Sequence, residues 1–135
     1  MSTSLTTDDL EFLRRPLHGF LTVAGGPVRP VWFEATGEGA LQLFTPRDSP
    51  KVRRLDDDSR ASIIVAAPVG EREHWVSVTG RVTVEHDGAH ELAARLAERY
   101  WNLEDPAHAG ELAGIQSLDL VRLVIRPEKV SRYSM

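Results

Sequence analysis

Apolar and polar residues alternate in short stretches along the first third of the chain, and this alternation predicts strands. Residues 17–24 and 28–35 are predicted to form two strands joined by the turn Gly25-Gly26-Pro27, which is typical of a hairpin. A second turn at residues 36–39 leads into a strand at residues 40–45. Three consecutive strands are therefore expected at the start of the sheet.

Three further strands are predicted later in the chain. Residues 61–67 are almost entirely apolar, which favours a strand buried on both faces. Residues 74–85 alternate around valines, and Gly80 interrupts them where a bend or bulge would fit. The last predicted strand covers residues 118–125 and ends before Arg126-Pro127.

Helical spacing of apolar residues is clearest between residues 88 and 101, where Asp87 is a candidate cap. Near the start of the chain, Asp8 and Glu11 resemble a capping box. A short N-terminal helix is therefore predicted, and Pro16 ends it.

The order of these elements favours a mostly antiparallel sheet, because hairpins replace the regular alternation of strands and helices. A further helix is predicted from Asp105-Pro106 to about Gly114. A chain of 135 residues is long enough to bury one core. We expect a single domain over residues 1–135, mostly β with appended helices, built as a six-stranded antiparallel barrel.

The composition mainly excludes certain classes of protein and certain kinds of site. Hydrophobic residues make up 41% and charged residues 27% of the chain, as in ordinary globular proteins. Cysteine is absent, which excludes disulfides, thiolate metal sites and a cysteine nucleophile. The net charge of -4 argues against a broad nucleic-acid surface, so any anion site must be local. Residues 1–15 show neither a secretory signal nor an apolar membrane span, so a cytoplasmic protein without membrane contact is expected.

The strongest candidate for a local anion site is the basic stretch Arg-Asp-Ser-Pro-Lys-Val-Arg-Arg at residues 47–54. Ser49 is a favourable helix cap and Pro50 a favourable first residue, so a short helix is predicted over residues 49–55. Lys51 then lies near the positive end of the helix dipole, where a cation is unfavourable by about 0.3–1 kcal/mol unless an anion neutralises it. A bound phosphate would remove this conflict. The alternative is a solvated basic surface whose positive charge compensates the acids at residues 56–58.

Two large aromatic residues, Trp32 and Phe33, lie close to Pro30 in the second strand of the predicted hairpin. Proline cannot donate to a central ladder, so this strand is predicted at an edge or an irregular point, where a flat ligand could lie. Successive side chains of a strand point to opposite faces, so at least one of the two aromatic rings is expected in the core.

The remaining sequence offers no catalytic motif. The five histidines lack metal-ligand spacing, and no metal site is expected. Neither a nucleophile elbow nor a glycine-rich phosphate loop is present. Catalytic residues are therefore left unassigned, and chemistry carried by a bound cofactor is the better hypothesis.

These stretches resemble the pyridoxamine phosphate oxidase-like, FMN-binding split-barrel superfamily. The resemblance rests on PVWF in one strand, LFTPRDSPK at the end of the next, and VRRLDDDSRASIIV continuing into WVSVTGRVTV. It covers residues 10–130 approximately. It implies a split β-barrel that binds FMN.

The resemblance also implies a set of cofactor-binding residues. They come from the PVWF strand, the LFTPRDSPK segment and the start of the long strand, and they are Arg29, Pro30, Val31, Trp32, Phe33, Phe44, Thr45, Ser49, Pro50, Lys51 and Trp75. The PVWF strand would line the flavin ring, and Trp75 would abut the ring from the side. Arg29, together with the hydroxyl and amine groups of the second segment, would approach the phosphate.

In this superfamily the cofactor lies between two subunits, so the resemblance implies a homodimer that acts on a small-molecule substrate. Tyr100 or Trp101 could then reach the site of the second subunit. The chain has Pro50 where the true oxidase has a second basic residue, and no counterpart of that oxidase's C-terminal extension follows Met135. The resemblance is therefore closer to the FMN-binding or deazaflavin-dependent reductases.

Three functions stay open on this basis. The first is a flavin-dependent oxidoreductase that moves a hydride between FMN and a small organic substrate. The second is a reductase that uses the deazaflavin coenzyme F-420, whose longer acidic tail could also use Arg47, Arg53 and Arg54. The third is a flavin-binding or sensing module without turnover, since no general acid is identified.

Overall fold

The computed structural model of the chain describes residues 3–135, which form one antiparallel sheet with four helices around it. The elements follow in the order α1 (Thr7–Leu13), β1 (Gly19–Val23), β2 (Arg29–Val31), β3 (Glu34–Ala35), β4 (Leu41–Pro46), α2 (Pro50–Asp57), β5 (Arg60–Ala66), β6 (His74–Glu85), α3 (Ala89–Tyr100), α4 (Pro106–Gln116) and β7 (Leu120–Ser134). The predicted class, mostly β with appended helices, is confirmed. The sheet has seven strands in this range instead of the expected six.

The additional strand arises because the predicted strand at residues 28–35 is in fact two strands. β2 pairs with β1, whereas β3 pairs with β4. The order β2-β1-β5-β6-β7-β4-β3 puts them at opposite edges of the sheet. Only Trp32 and Phe33 separate the two strands, so the sheet curls into a half-barrel until its edges nearly meet. The Phe33 side chain is 0% exposed at this crossing, which we call the seam.

β6 and β7 pair along their lengths and include the one clear irregularity of the sheet among residues 3–135. The last strand was predicted to end at residue 125, but β7 continues through Pro127 to Ser134. The predicted interruption at Gly80 is confirmed: the register shifts between Thr79 and Gly80, and Glu128 is the extra residue on the β7 side of this bulge. A Cβ atom on Gly80 would lie 2.0 Å from the carbonyl oxygen of Arg126, so glycine is needed where the two backbones approach.

The inward faces of the strands fill one hydrophobic core. Its strand side chains include Leu21, Val23, Leu41, Leu43, Ile63, Val65, Val76, Val78, Leu123 and Ile125. The prediction that residues 61–67 are buried on both faces is wrong, because Ile64 is 40% exposed. It lies opposite Phe20 of β1, which is 44% exposed. The run is continuously apolar because the outer face of β5 carries apolar side chains as well.

α1 begins with a capping box, but not the predicted one. The Thr6 hydroxyl accepts a hydrogen bond from the backbone N–H of Asp9, and the Asp9 carboxylate accepts one from the backbone N–H of Thr6. The predicted pair Asp8 and Glu11 is therefore wrong by two residues. Asp9 is 2% exposed, and Arg132 of β7 donates to both of its carboxylate oxygens at 2.8–3.0 Å. This contact ties α1 to the sheet.

The two helices between β6 and β7 differ in how they begin. α3 starts after Gly88, which has φ 78°, and the predicted cap Asp87 is wrong by one residue. α4 starts at Pro106 as predicted, and the Asp105 side chain accepts from the backbone N–H of Ala107. Among residues 3–135, no helix has the length and apolar character needed to cross a membrane.

Candidate functional site

The predicted helix at the basic stretch is present, and its first turn joins three polar side chains. Ser49 occupies the N-cap position of α2, but its hydroxyl makes no capping bond. It accepts instead from the Thr45 hydroxyl at the end of β4, over 3.1 Å. Lys51 Nζ lies 3.4 Å from the same Thr45 oxygen. The structure therefore brings Thr45, Ser49 and Lys51 together, as the predicted phosphate site requires.

A cavity of about 250 Å³ opens between this turn and the hairpin of β1 and β2. Its charged lining consists of Arg29, Lys51 and Arg54, and apolar side chains and prolines complete the wall. We call it the cationic cavity. Within residues 3–135, none of these three cations has a carboxylate within salt-bridge distance. The cavity is therefore an uncompensated positive site in a chain of net negative charge.

The charged form of Lys51 is destabilised by its position in the cationic cavity. Burial lowers the pKa of its ammonium group, and the nearby positive charge of Arg29 lowers it further. Both effects mean that the charged form is less stable here than in water. An anion in the cavity would offset both, because it would replace lost hydration and neutralise the repulsion between the two cations.

The other basic residues of the stretch face away from this cavity. Arg47 lies 3.5 Å from the Asp119 carboxylate, and Arg53 donates to the backbone carbonyl of Asp48. A solvated basic surface would pair with the acids at residues 56–58, but among the described residues these acids form no ion pair with residues 47–54. Asp58 binds Arg60 instead, at 2.6 Å. The stretch thus divides into a paired outer side and an unpaired side in the cavity.

A second cavity, of about 290 Å³, lies on the other side of Pro30. Pro30 lines both cavities, and His18, Val31, Trp32 and Phe44 complete the second one. We call it the aromatic cavity. Of the two adjacent aromatic residues, Trp32 lines this cavity and Phe33 lies in the core, which confirms that at least one of the two is core.

The end of α3 supports Trp32 through an aromatic cluster. The Tyr100 ring stacks on Trp32 with centroids 5.2 Å apart and planes at 4°. Trp101 meets Trp32 edge-on at 4.6 Å, and His108 of α4 stacks on Trp101 at 4.8 Å. No local sequence pattern predicts this cluster, because it joins the end of a helix to a strand far away in the chain.

Trp75 lies apart from these residues. It opens β6, stacks on Tyr133 of β7 with centroids 6.2 Å apart, and lines neither the cationic nor the aromatic cavity. Its contact with the side of a cofactor ring therefore stays a prediction.

His74 and His90 line neither the cationic nor the aromatic cavity and make structural contacts elsewhere. His74 stacks on Phe12 with centroids 3.9 Å apart, and His90 hydrogen-bonds to the Leu118 carbonyl oxygen. In the part of the chain that the structure describes, no three His, Cys, Asp or Glu side chains are grouped in a way that could hold a metal ion.

One protein-family model matches most of the chain. The model of the pyridoxamine 5'-phosphate oxidase family matches residues 10–133. A solved structure described as an F-420 reductase is 25% identical, with a TM-score of 0.69 over 90% of this chain and 94% of that one. No curated protein sequence matched the chain.

Two further solved structures are less similar in sequence and show a shared fold. A conserved hypothetical protein from Mycobacterium tuberculosis is 18% identical, with a TM-score of 0.72 over 99% of this chain and 88% of that one. A heme storage protein from Vibrio cholerae is 17% identical, with a TM-score of 0.61 over 94% of this chain and 90% of that one. The same fold therefore occurs in an F-420 reductase, a hypothetical protein and a heme storage protein.

Proposed function

Because this chain belongs to the pyridoxamine 5'-phosphate oxidase family, we propose that it is a flavin-dependent oxidoreductase that holds its cofactor by the phosphate in the cationic cavity. When bound, the cofactor supplies hydride exchange with a small organic substrate. The protein's own residues then bind, orient and shield the reacting groups.

The observation that carries the proposal is the unpaired charge at the start of α2. Lys51 and Arg29 lie close enough to lower the pKa of the Lys51 ammonium, and the cavity they line contains no carboxylate. The hydroxyl groups of Thr45 and Ser49 adjoin them. Hydroxyl donors, cations and a helix start together match the chemistry of a phosphate monoester or diester.

The aromatic cavity is the proposed place for the cofactor ring. It shares Pro30 with the cationic cavity, so a ligand anchored by its phosphate can extend along β2 toward Trp32. The Trp32 ring is held by its stack on Tyr100, and Phe44 closes another part of the wall. An apolar wall of this kind orients a flat ring and excludes water from one face.

FMN and coenzyme F-420 are the two candidate cofactors. FMN is the first choice because a compact phosphate site is present and Arg47 and Arg53 are engaged elsewhere. The similarity to an F-420 reductase over most of both chains favours the second. Arg54, which lines the cationic cavity, is the one extra arginine positioned for a longer acidic tail.

A homodimer with the cofactor between subunits is part of the proposal. Phe20 and Ile64 face each other across β1 and β5 on the outer face of the sheet, and both are exposed. Phe20 is also opposite Pro30, which lines both cavities. A second copy that covers this apolar face would place its own residues beside the cofactor. The cytoplasmic location stays a prediction from the sequence.

Titration of the purified protein with FMN and with F-420 tests the proposal, because the two cofactors absorb at different wavelengths. We expect saturable binding of one of them. Failure to bind either would contradict the proposal. A panel of reductants and acceptors, including 2-cyclohexen-1-one and menadione, then measures turnover. Binding without turnover would point to a flavin-binding or sensing module.

A further inference from the structure

We propose that His18 is the residue that gives up and takes back the proton that accompanies hydride transfer at this site. The inference rests on the proposed function, because the bound cofactor supplies the hydride. It starts from the aromatic cavity, where His18 is the one lining side chain that can exchange a proton near neutral pH. The other lining residues are Pro30, Val31, Trp32 and Phe44.

The two cavities give His18 access to the reacting groups. Pro30 forms the wall between them, so a ligand whose phosphate is held by Lys51 extends along β2 toward the aromatic cavity. His18 lies directly before β1, which pairs with β2 over Gly19 to Leu21. A ring and substrate in the aromatic cavity therefore lie beside the imidazole.

The backbone that carries His18 is held by the end of α3. The Tyr100 hydroxyl donates to the backbone carbonyl of Leu17 over 2.6 Å. Arg99 donates to the carbonyl of Leu13, at the end of α1, over 3.0 Å. These bonds fix the segment between α1 and β1, and the His18 ring lies 5.9 Å from the Tyr100 ring. The His18 imidazole is therefore exposed, while the backbone that carries it is held in place.

The neighbouring ionisable groups are less suited to this role. Burial raises the pKa of the Tyr100 hydroxyl, and its proton is already donated to Leu17. The guanidinium of Arg99, on the same helix, is engaged as a donor to the Leu13 carbonyl. Lys51 and Arg29, beyond Pro30, are assigned to the phosphate. Among the described residues that line the aromatic cavity, His18 is the one ionisable side chain.

The proposed step balances as follows. In a reduction, a hydride from the reduced cofactor, which is thereby oxidised, would add to an electron-poor carbon of the substrate, and the π bond at that carbon would break. The released electron pair takes a proton from the His18 imidazolium, and the neutral imidazole regains a proton from water, to which it is exposed. The fitting substrate is a small uncharged molecule with an electron-poor C=C or C=O bond, because the cavity wall is apolar.

The contact is tested by NMR of the imidazole signals during titration with FMN and F-420. The His18 signal is assigned by its loss in His18→Gln. We expect it to shift when cofactor binds, while the signal of His86, which lines neither cavity, stays in place. An unmoved His18 signal at saturating cofactor would overturn the proposal, and absorbance reports separately whether cofactor is bound.

The proton role is tested with cofactor-loaded His18→Gln and the matched control His86→Gln, using the acceptor that the wild-type protein reduces fastest. We expect His18→Gln to lose about 10²- to 10⁴-fold in hydride-transfer rate and to lose the pH dependence of that rate. His86→Gln should keep both properties.

Equal rates and pH profiles for wild-type protein and His18→Gln would overturn the inference and leave the proposed function intact. Cofactor binding without reduction of any acceptor would overturn it as well. Tyr100→Phe separates positioning from proton transfer, because it should lower the rate and still keep the pH profile that depends on His18.

Discussion

The ammonium group of Lys51 lies 3.4 Å from the hydroxyl oxygen of Thr45, which is 2% exposed. Thr45 donates in turn to Ser49 at the helix start. This half-buried cation has Arg29 as its charged neighbour in the cavity. Stability and ligand binding are therefore opposed at this position, as is common at functional sites.

Lys51→Ala is expected to weaken cofactor binding by about 10- to 100-fold, because a hydrogen bond to a charged group contributes about 1.5–3 kcal/mol. Absorbance titration measures the change. Lys129→Ala is the matched control, since Lys129 is an exposed lysine of β7 that lines neither cavity. Equal effects of the two substitutions would mean that the basic stretch is ordinary surface.

Arg54→Ala and Arg53→Ala separate the two sides of α2. Arg54 lines the cationic cavity, whereas Arg53 donates to the Asp48 carbonyl on the other side. We expect a several-fold loss of cofactor affinity for Arg54→Ala and little change for Arg53→Ala. If Arg53→Ala is equally damaging, the cofactor reaches around the helix, which would favour the longer acidic tail of F-420.

Phe20→Asp is expected to convert a dimer into a monomer, because it puts a charge on the apolar outer face shared with Ile64. Analytical ultracentrifugation measures the molar mass. Val69→Asp is the control, since Val69 is a fully exposed apolar residue in the loop between β5 and β6. A wild-type protein that sediments as a monomer with cofactor bound would contradict the proposed dimer.

Gly80→Ala is expected to destabilise the fold by about 2–4 kcal/mol, because the new Cβ atom would lie 2.0 Å from the Arg126 carbonyl oxygen. Gly110→Ala in α4 is the matched control, since its Cβ would meet nothing within 4 Å. That substitution should raise stability by up to about 1 kcal/mol through helix propensity. Urea unfolding measures both, and a neutral Gly80→Ala would show that the bulge tolerates a side chain.

Asp9 is expected to contribute stability at neutral pH that is lost in acid. Burial acts to raise its pKa, but hydrogen bonds from Arg132 and Thr6 outweigh burial and leave the pKa lowered. Folding therefore favours the ionised carboxylate. Its contribution is complete above the unfolded carboxyl range near about pH 4, and it disappears as pH falls through the lower folded pKa.

Asp9→Asn tests this expectation by urea unfolding at neutral and acidic pH. The variant should be less stable than the wild type by about 1–3 kcal/mol at neutral pH, and the gap should narrow in acid. Asp56→Asn, on the exposed side of α2, serves as the control. A gap that stays constant with pH would mean that the Asp9 charge does not contribute.

The sequence by itself determined those features whose causes lie within a few residues. The start of α2 follows from Ser49 and Pro50, and the start of α4 follows from Asp105 and Pro106. The bulge follows from a glycine in a strand that otherwise alternates. The meeting of Thr45 with Lys51 was implied by the family resemblance, and a short loop between the end of β4 and the first turn of α2 allows it.

The features that depend on which strands pair, and on which distant segments pack together, were decided only by the tertiary structure. No glycine or other turn residue marks Trp32 and Phe33, where the chain leaves β1 and joins β4, so the sequence pattern could not reveal the seam. Packing of α2 against the hairpin of β1 and β2 brings Arg29 to Lys51, and α3 brings Tyr100 to Trp32. Such contacts depend on packing between distant segments, which local propensities do not encode.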